Sequence, residues 1–161
     1  MALRRRAAKG AVEEPTGPAR VLIVNDEEGG LELLSRIVER AGYDVGRAGS
    51  AEQAMAEVHR GHPDCTVLDL TASGIGGNLT LLDHIRSSRD TVVSHTRVVL
   101  VAQQSTNRMF SWQAGIDAFL VRPFHADELL RDIADSLARP DEDRSKHRRR
   151  ELEAAKSQGR G

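Results

Sequence analysis

Apolar positions fall into short runs and helical stripes that alternate along most of the chain. Val21-Leu22-Ile23-Val24 is a β-branched run ended by the polar cluster Asn25-Asp26-Glu27-Glu28, which predicts a strand covered on both faces. Leu31, Leu33, Leu34, Ile37 and Val38 then recur at helical spacing, with a stop at Gly42. Residues 43–48 predict a second strand. Ser50-Ala51-Glu52-Gln53 offers a hydroxyl to cap a second helix, which Gly61 closes. Residues 65–69 predict a third strand, followed by a flexible loop rich in Gly, Ser and Thr, and Leu79, Leu81, Leu82 and Ile85 mark a third helix. A fourth strand is expected over 98–101, a short fourth helix over 106–114 ending at Gly115, a fifth strand over 118–121, and a fifth helix over 126–137 stopped before Pro140.

Strands that are almost continuously apolar and alternate with helices define an α/β chain. Its sheet is parallel with helices on both faces, because right-handed crossovers leave neither face open. There is no internal repeat. The expected organisation is a disordered basic tail over 1–19, one domain over 20–138, and a charged tail over 139–161. The last of these is expected to be disordered or weakly helical. Leu152 is its only large apolar side chain, so a helix around 148–156 would have no apolar face to bury.

The formal net charge of −1 conceals a segregation. Residues 1–20 carry five Arg/Lys and two acids, or +3; residues 21–139 carry eleven and seventeen, or −6; residues 140–161 carry seven and five, or +2. An acidic body between basic tails argues against a globally basic nucleic-acid-binding domain, and the run Lys146-His147-Arg148-Arg149-Arg150 reads first as a solvated tail. At 39% hydrophobic the chain can bury a core, but with 3% aromatic residues the filling is aliphatic. Cys65 is the only cysteine, which excludes an intrachain disulfide and a cysteine-based zinc site. Gly61 breaks the helix between His59 and His62, which disfavours a metal pair there. No apolar run approaches the roughly 20 residues of a membrane span, and no secretory signal opens the chain. A cytoplasmic protein is the expectation.

Ligands of such sheets bind beyond the carboxyl ends of the strands. Those ends carry Asn25-Asp26-Glu27-Glu28, Asp69-Leu70-Thr71, Ala102-Gln103 and Arg122-Pro123-Phe124. Two carboxylates therefore converge on one edge with a cation opposite. The acids would repel a phosphoryl group unless a divalent cation stood between, and Mg²⁺ suits an oxygen-only site of this kind.

Val24-Asn25-Asp26-Glu27, the strand-end Asp69, Ala114-Gly115 and Val121-Arg122-Pro123-Phe124 together resemble the receiver domain of two-component response regulators, from about Arg20 to Leu137. The resemblance implies the flavodoxin-like receiver fold, a five-stranded parallel sheet of order 2-1-3-4-5. It also implies a phosphorelay module in which Asp69 is the phospho-acceptor, forming an aspartyl phosphate from a histidine kinase, a phosphotransfer protein or a small phosphodonor. Asp26 then falls on a direct Mg²⁺ ligand beside Asp69, and Thr71 on the residue that lends the metal a backbone carbonyl. Arg122 stands where the family has a phosphoryl-pairing lysine. Ala102 and Phe119 occupy the two switch positions. Beyond self-phosphorylation, no enzymatic turnover is implied.

The sequence also departs from the family pattern. Asn25 replaces an acid and can reach the metal only weakly, through water, so the Mg²⁺ site is weakened, with Glu27 or Glu28 as partial compensation. Ala102 lacks the hydroxyl that hydrogen-bonds the phosphoryl, a charge-assisted bond of roughly 1.5–3 kcal/mol. Arg122 keeps the charge of the lysine but not its shape, in a body (21–139) that has eleven arginines and no lysine. Ala72-Ser73 replaces a common Met-Pro, and Gly76 an acid. These departures mark an atypical receiver and keep a second reading open, a phosphorylation-independent pseudo-receiver acting as an interaction scaffold.

In the fourth predicted helix, Phe110 and Trp112 point about 160° apart, so one helix face cannot bury both. Trp112 and Phe119 are candidates for an output surface on the face of helix four, strand five and helix five, where a protein partner would bind. Only 24 residues follow Leu137, too few for a DNA-binding output module, so a stand-alone receiver is expected.

Overall fold

The structure is a computed structural model that describes residues 17–72 and 74–158. Its elements run β1 (Arg20–Asn25), α1 (Glu28–Arg40), β2 (Asp44–Ala48), α2 (Ala51–Gly61), β3 (Cys65–Asp69), α3 (Gly74–Arg86), α4 (Thr91–Ser94), β4 (Arg97–Ala102), α5 (Arg108–Ala114), β5 (Ala118–Val121), α6 (Ala126–Ala138) and α7 (Asp141–Gln158). A single 3₁₀ turn over Ser105–Asn107 leads into α5. All strand pairings are parallel and the order is β2-β1-β3-β4-β5.

Continuous apolar runs are needed because both sheet faces are covered. Along β1, Leu22 and Val24 enter one buried cluster with Leu68, Leu82, Ile85 and Leu100. Val21 and Ile23 enter the opposite cluster with Leu34, Val38, Val67, Leu129 and Ile133. The register sets Asn25 beside Asp69 and Ala102 beside Val121, so the functional strand ends share one edge.

Several local expectations need correction. The left-handed residue that ends α2 is His62, with φ of 44°, and Gly61 stays inside the helix. Gly61 has a close neighbour there, since a Cβ would stand 3.0 Å from Arg20 Nε. The segment expected as a flexible glycine loop is instead the first turn of α3, which starts at Gly74. That turn is anchored by the buried Asn78, whose Oδ1 accepts from the Leu70 amide at 2.9 Å. The one-turn helix α4 was not foreseen, so the predicted fourth and fifth helices are α5 and α6. The N-cap at Ser50 is present, with its Oγ accepting from Gln53 N at 3.1 Å.

The largest difference is at the carboxyl end. The tail expected to be disordered or weakly helical over 139–161 holds the 18-residue α7, and it does bury a face. What it buries is chiefly charge, with Arg144 only 5% exposed. The expected disordered tail over 1–19 lies mostly outside the described residues, as does Ser73, although Ala19 is fully buried against the body. Among the described residues, no helix is long and apolar enough to cross a membrane.

Candidate functional site

Asp69 ends β3 with its carboxylate 1% exposed. Its Oδ2 accepts a hydrogen bond from Asn25 Nδ2 at 2.9 Å, and the Arg122 guanidinium, just past β5, forms an ion pair with the same oxygen. Burial pushes the Asp69 carboxyl up to about 6, against the opposing pull of Arg122 and Asn25. Arg122 also lies over the Phe124 ring, with its guanidinium carbon 5.5 Å from the centroid.

Asn25 is held from the other side as well, its Oδ1 accepting the Glu27 amide at 2.7 Å. The side chain fills the space beside Gly30, where a Cβ would fall 2.8 Å from Asn25 Nδ2. Asp26 points to the β3 loop. Its Oδ1 accepts from Thr71 N at 2.8 Å and Thr71 Oγ1 at 2.7 Å, and its Oδ2 from Ala72 N at 2.8 Å. Burial acts to raise the Asp26 pKa, but these bonds together hold it below the usual carboxylate value.

Asp26, Asp69, Asn25, Thr71 and Arg122 are thus gathered at one edge, as the sequence suggested. Ala102 lies at the same edge, buried, with its carbonyl accepting the Arg122 amide at 2.9 Å. Phe119 is partly buried beneath Arg108, whose guanidinium carbon is 5.0 Å from the ring centroid. Trp112 does not form an open surface. It is 4% exposed, with the His147 ring of α7 edge-on at 5.4 Å, whereas Phe110 is 56% exposed. The two aromatics do separate as their helical angle requires, with Trp112 taking the inner side.

The oxygen donors at the edge are of the kind a hard divalent cation takes, namely two carboxylates and a neighbouring carbonyl. Both Asp26 oxygens and one Asp69 oxygen already accept protein donors. A cation entering here competes with those bonds. Among the described residues, no group of three His, Cys, Asp or Glu side chains is arranged to hold a metal ion.

Sequence reading missed two clusters. Asn78 lies in helical register with Leu82 and Ile85, a polar residue on an apolar stripe, and that placement was its available signal. The second cluster surrounds Asp117, 2% exposed just before β5. Arg144 grips its carboxylate with two bonds of 2.9 and 3.0 Å, while Arg86 approaches at 3.1 Å, Arg148 at 3.3 Å and the Val98 amide at 2.8 Å. Burial works to raise the Asp117 pKa, yet the surrounding arginines hold it below its ordinary value. Crowding has a cost on the other side, since burial brings Arg86 down to about 10. The available signals were a lone acid before an apolar strand and the i, i+4 spacing of Arg144 and Arg148.

A five-stranded parallel sheet of this order, with carboxylates and a cation at its carboxyl edge, defines a flavodoxin-like receiver architecture. The sequence matches the response regulator receiver domain over residues 21–134, and the chain belongs to that family. It is 33% identical over 128 residues to the response regulator MprA of a Mycobacterium species, covering 78% of this chain and 54% of MprA. It is 31% identical over 118 residues to the sensory/regulatory protein RpfC of Xanthomonas campestris, covering 72% of this chain and 16% of RpfC. The chain therefore spans only part of these relatives. A CheY-like receiver domain protein from Methanospirillum hungatei shares the fold, with a TM-score of 0.63, 24% identity, and coverage of 80% of this chain and 97% of that one.

Proposed function

We propose that this chain is a receiver module of phosphorelay signalling in which Asp69 accepts a phosphoryl group and output passes through protein–protein contact. The observation that carries this reading is the Arg122–Asp69 pair at the ends of β5 and β3, with Asp26 beside it. A carboxylate oxygen attacks the phosphorus of the donor, and the donor's leaving group departs with the bonding electron pair. Arg122 then has a role at both stages. Before transfer it neutralises Asp69, and afterwards it pairs with the phosphoryl oxygens, for which a planar guanidinium is suited. Asp26, Asp69 and the Thr71 carbonyl are the donors that would hold Mg²⁺, and its charge would offset the repulsion between these acids and a phosphoryl group. The donor is a histidine kinase or phosphotransfer protein.

A second reading, the phosphorylation-independent scaffold, is favoured by a specific observation. Asp69 is almost fully buried with one oxygen engaged twice, and Ala102 offers no hydroxyl to a phosphoryl group. Intact-mass spectrometry after incubation with acetyl phosphate and with a histidine kinase, each with and without Mg²⁺, separates the two. One added phosphoryl mass, lost in Asp69→Asn, is the expected result. Its absence with both donors overturns the acceptor role and leaves the scaffold.

A further inference from the structure

We propose that α7 is a resident, displaceable latch on the face formed by α5 and β5, held by two of its arginines on Asp117 and replaceable by another arginine-bearing helix. The inference does not depend on phosphorylation of Asp69.

The attachment has a particular chemistry. Arg144 and Arg148, one turn apart on the same side of α7, converge on the buried Asp117. His147 sets its ring edge against Trp112, further along Leu152 packs on the apolar cluster that includes Trp112 and Ile116, and Ala155 is buried. Arg144 extends the grip to the His95 carbonyl at 2.8 Å. Only one large aliphatic side chain of α7 takes part, so the hydrocarbon burial that makes a core helix permanent is small. Specific ion pairing to one acid holds the helix instead.

The interface is also incompletely satisfied. A cleft of about 170 Å³ lies between α5, β5, α6 and α7, bordered by Arg108, Phe119, Asp132, Arg139, His147 and Glu151. Trp112 Nε1 and Ser136 Oγ, on two of the residues around this cleft, are buried without a hydrogen-bond partner. A second cleft of about 590 Å³ separates the last turn of α7, at Ala155 and Lys156, from Ser105, Thr106 and Met109 at the start of α5. α7 leaves both groups open to a partner that supplies an acceptor or a donor.

These features define what can replace α7. Arg86 belongs to the body and stays with Asp117, 3.1 Å away. A competing helix must bring at least one arginine to Asp117, a small residue where Ala155 sits, and gains further if it supplies an acceptor to the Trp112 indole N–H. α7 holds the face by its tether, since it follows α6 after only Arg139 and Pro140. In this arrangement Trp112 is reached only when α7 lifts.

Trp112 is the sole tryptophan, so its fluorescence reports the docked state. The test compares the full chain with its Arg144→Ala/Arg148→Ala variant by acrylamide quenching and amide hydrogen exchange. Quenching of Trp112 and exchange across 141–158 should each rise several-fold in the variant, with β1, β3 and β4 as protected as before. A synthetic peptide of residues 140–158 should restore the shielding, and the same peptide with both arginines replaced should not. Unchanged quenching, a loss of protection through the whole sheet, or failure of the peptide to restore shielding overturns the proposal. Wild-type protein supplies a check that needs no variant. Residues 141–158 should exchange at denaturant concentrations well below the global transition, and exchange only with global unfolding makes α7 part of the core.

Discussion

Asp117→Asn removes the one negative charge shared by three guanidinium groups while keeping the side-chain shape. Taking one partner from a buried ion pair costs about 3–5 kcal/mol, because the remaining charge is left uncompensated. Here the lower end applies, for two structural reasons. Arg86 and Arg144 keep carbonyl acceptors in the variant, at Gly115, Ser94 and Thr96 for the first and at His95 for the second. Arg144 and Arg148 can also regain water if α7 lifts, which leaves only Arg86 buried beside a neutral amide. The expected loss is therefore about 3 kcal/mol. For a urea slope of about 2 kcal/mol/M, that moves the midpoint down by roughly 1.5 M. The comparison variant is Asp44→Asn, whose half-exposed pair with Arg20 at 2.9 Å should be worth under about 1 kcal/mol. Both are read by far-UV circular dichroism and by Trp112 fluorescence in the same titration. The sign with pH follows from the depressed Asp117 pKa: its stabilisation is present above the ordinary value near 3.8 and is lost as pH falls through the lower folded value. A midpoint shift no larger than that of Asp44→Asn would falsify the reasoning, since it would mean the cluster is screened like a surface pair.

Three further outcomes follow from the same geometry. Burial lifts the Asp69 carboxyl from 3.8 to about 6, so the proton it holds stabilises the fold fully below 3.8 and that stabilisation fades as pH rises through 6. Two units correspond to about 3 kcal/mol at most. Metal-free wild type should lose stability relative to Asp69→Asn between pH 4 and 7 by up to that amount, and a constant difference in urea midpoint across the range refutes it. Arg122→Ala removes the cation that opposes this rise, so the Asp69 titration followed by carboxyl carbon NMR should move above 6; an unmoved titration dissolves the ion pair. His147 is held below 6.5 by burial and then by Arg139 and Arg150, with Glu151 and Asp117 pulling the other way. α7 docking is therefore strongest above pH 6.5 and weakens as His147 protonates below it. Acrylamide quenching of Trp112 should rise from pH 7.5 to 5.5, and His147→Gln, which leaves the neighbouring Asp132 to titrate alone near 6, should flatten that rise.

Most of the sheet was readable from residues because a strand buried on two faces has a composition that little else shares. Val21–Val24, the run at Cys65–Asp69 and the one starting at Val98 leave few alternatives, and parallel pairing then sends Asn25, Asp69, Ala102 and Arg122 to one edge. Local punctuation was less reliable wherever a tertiary contact overrode it. Gly61 reads as a helix stop, yet it stays inside the helix close to the Arg20 side chain while His62 makes the turn. Gly74, Gly76 and Gly77 read as a loop because glycine weakens helices by about 1 kcal/mol each. The buried Asn78, tied to the Leu70 amide, offsets that preference and starts α3 early.

α7 was illegible for a deeper reason. Helix reading looks for an apolar stripe, on the premise that a helix docks by burying hydrocarbon. The stripe here is Arg144, Arg148, Leu152 and Ala155, and its first half is cationic. A guanidinium can occupy a buried helix position only if its counter-charge is already buried on the body, and that acid, Asp117, lies 27 residues before Arg144 in sequence with nothing local to pair them. The two are interpretable only together. β5 then carries a charge pairing beyond each end, with Arg122 on Asp69 at its carboxyl side and Asp117 under α7 at its amino side. At about 3.3 Å per residue its four residues span only about 13 Å, and it pairs with β4 alone. One short strand thus positions both ion pairs, the first at its carboxyl end and the second at its amino end.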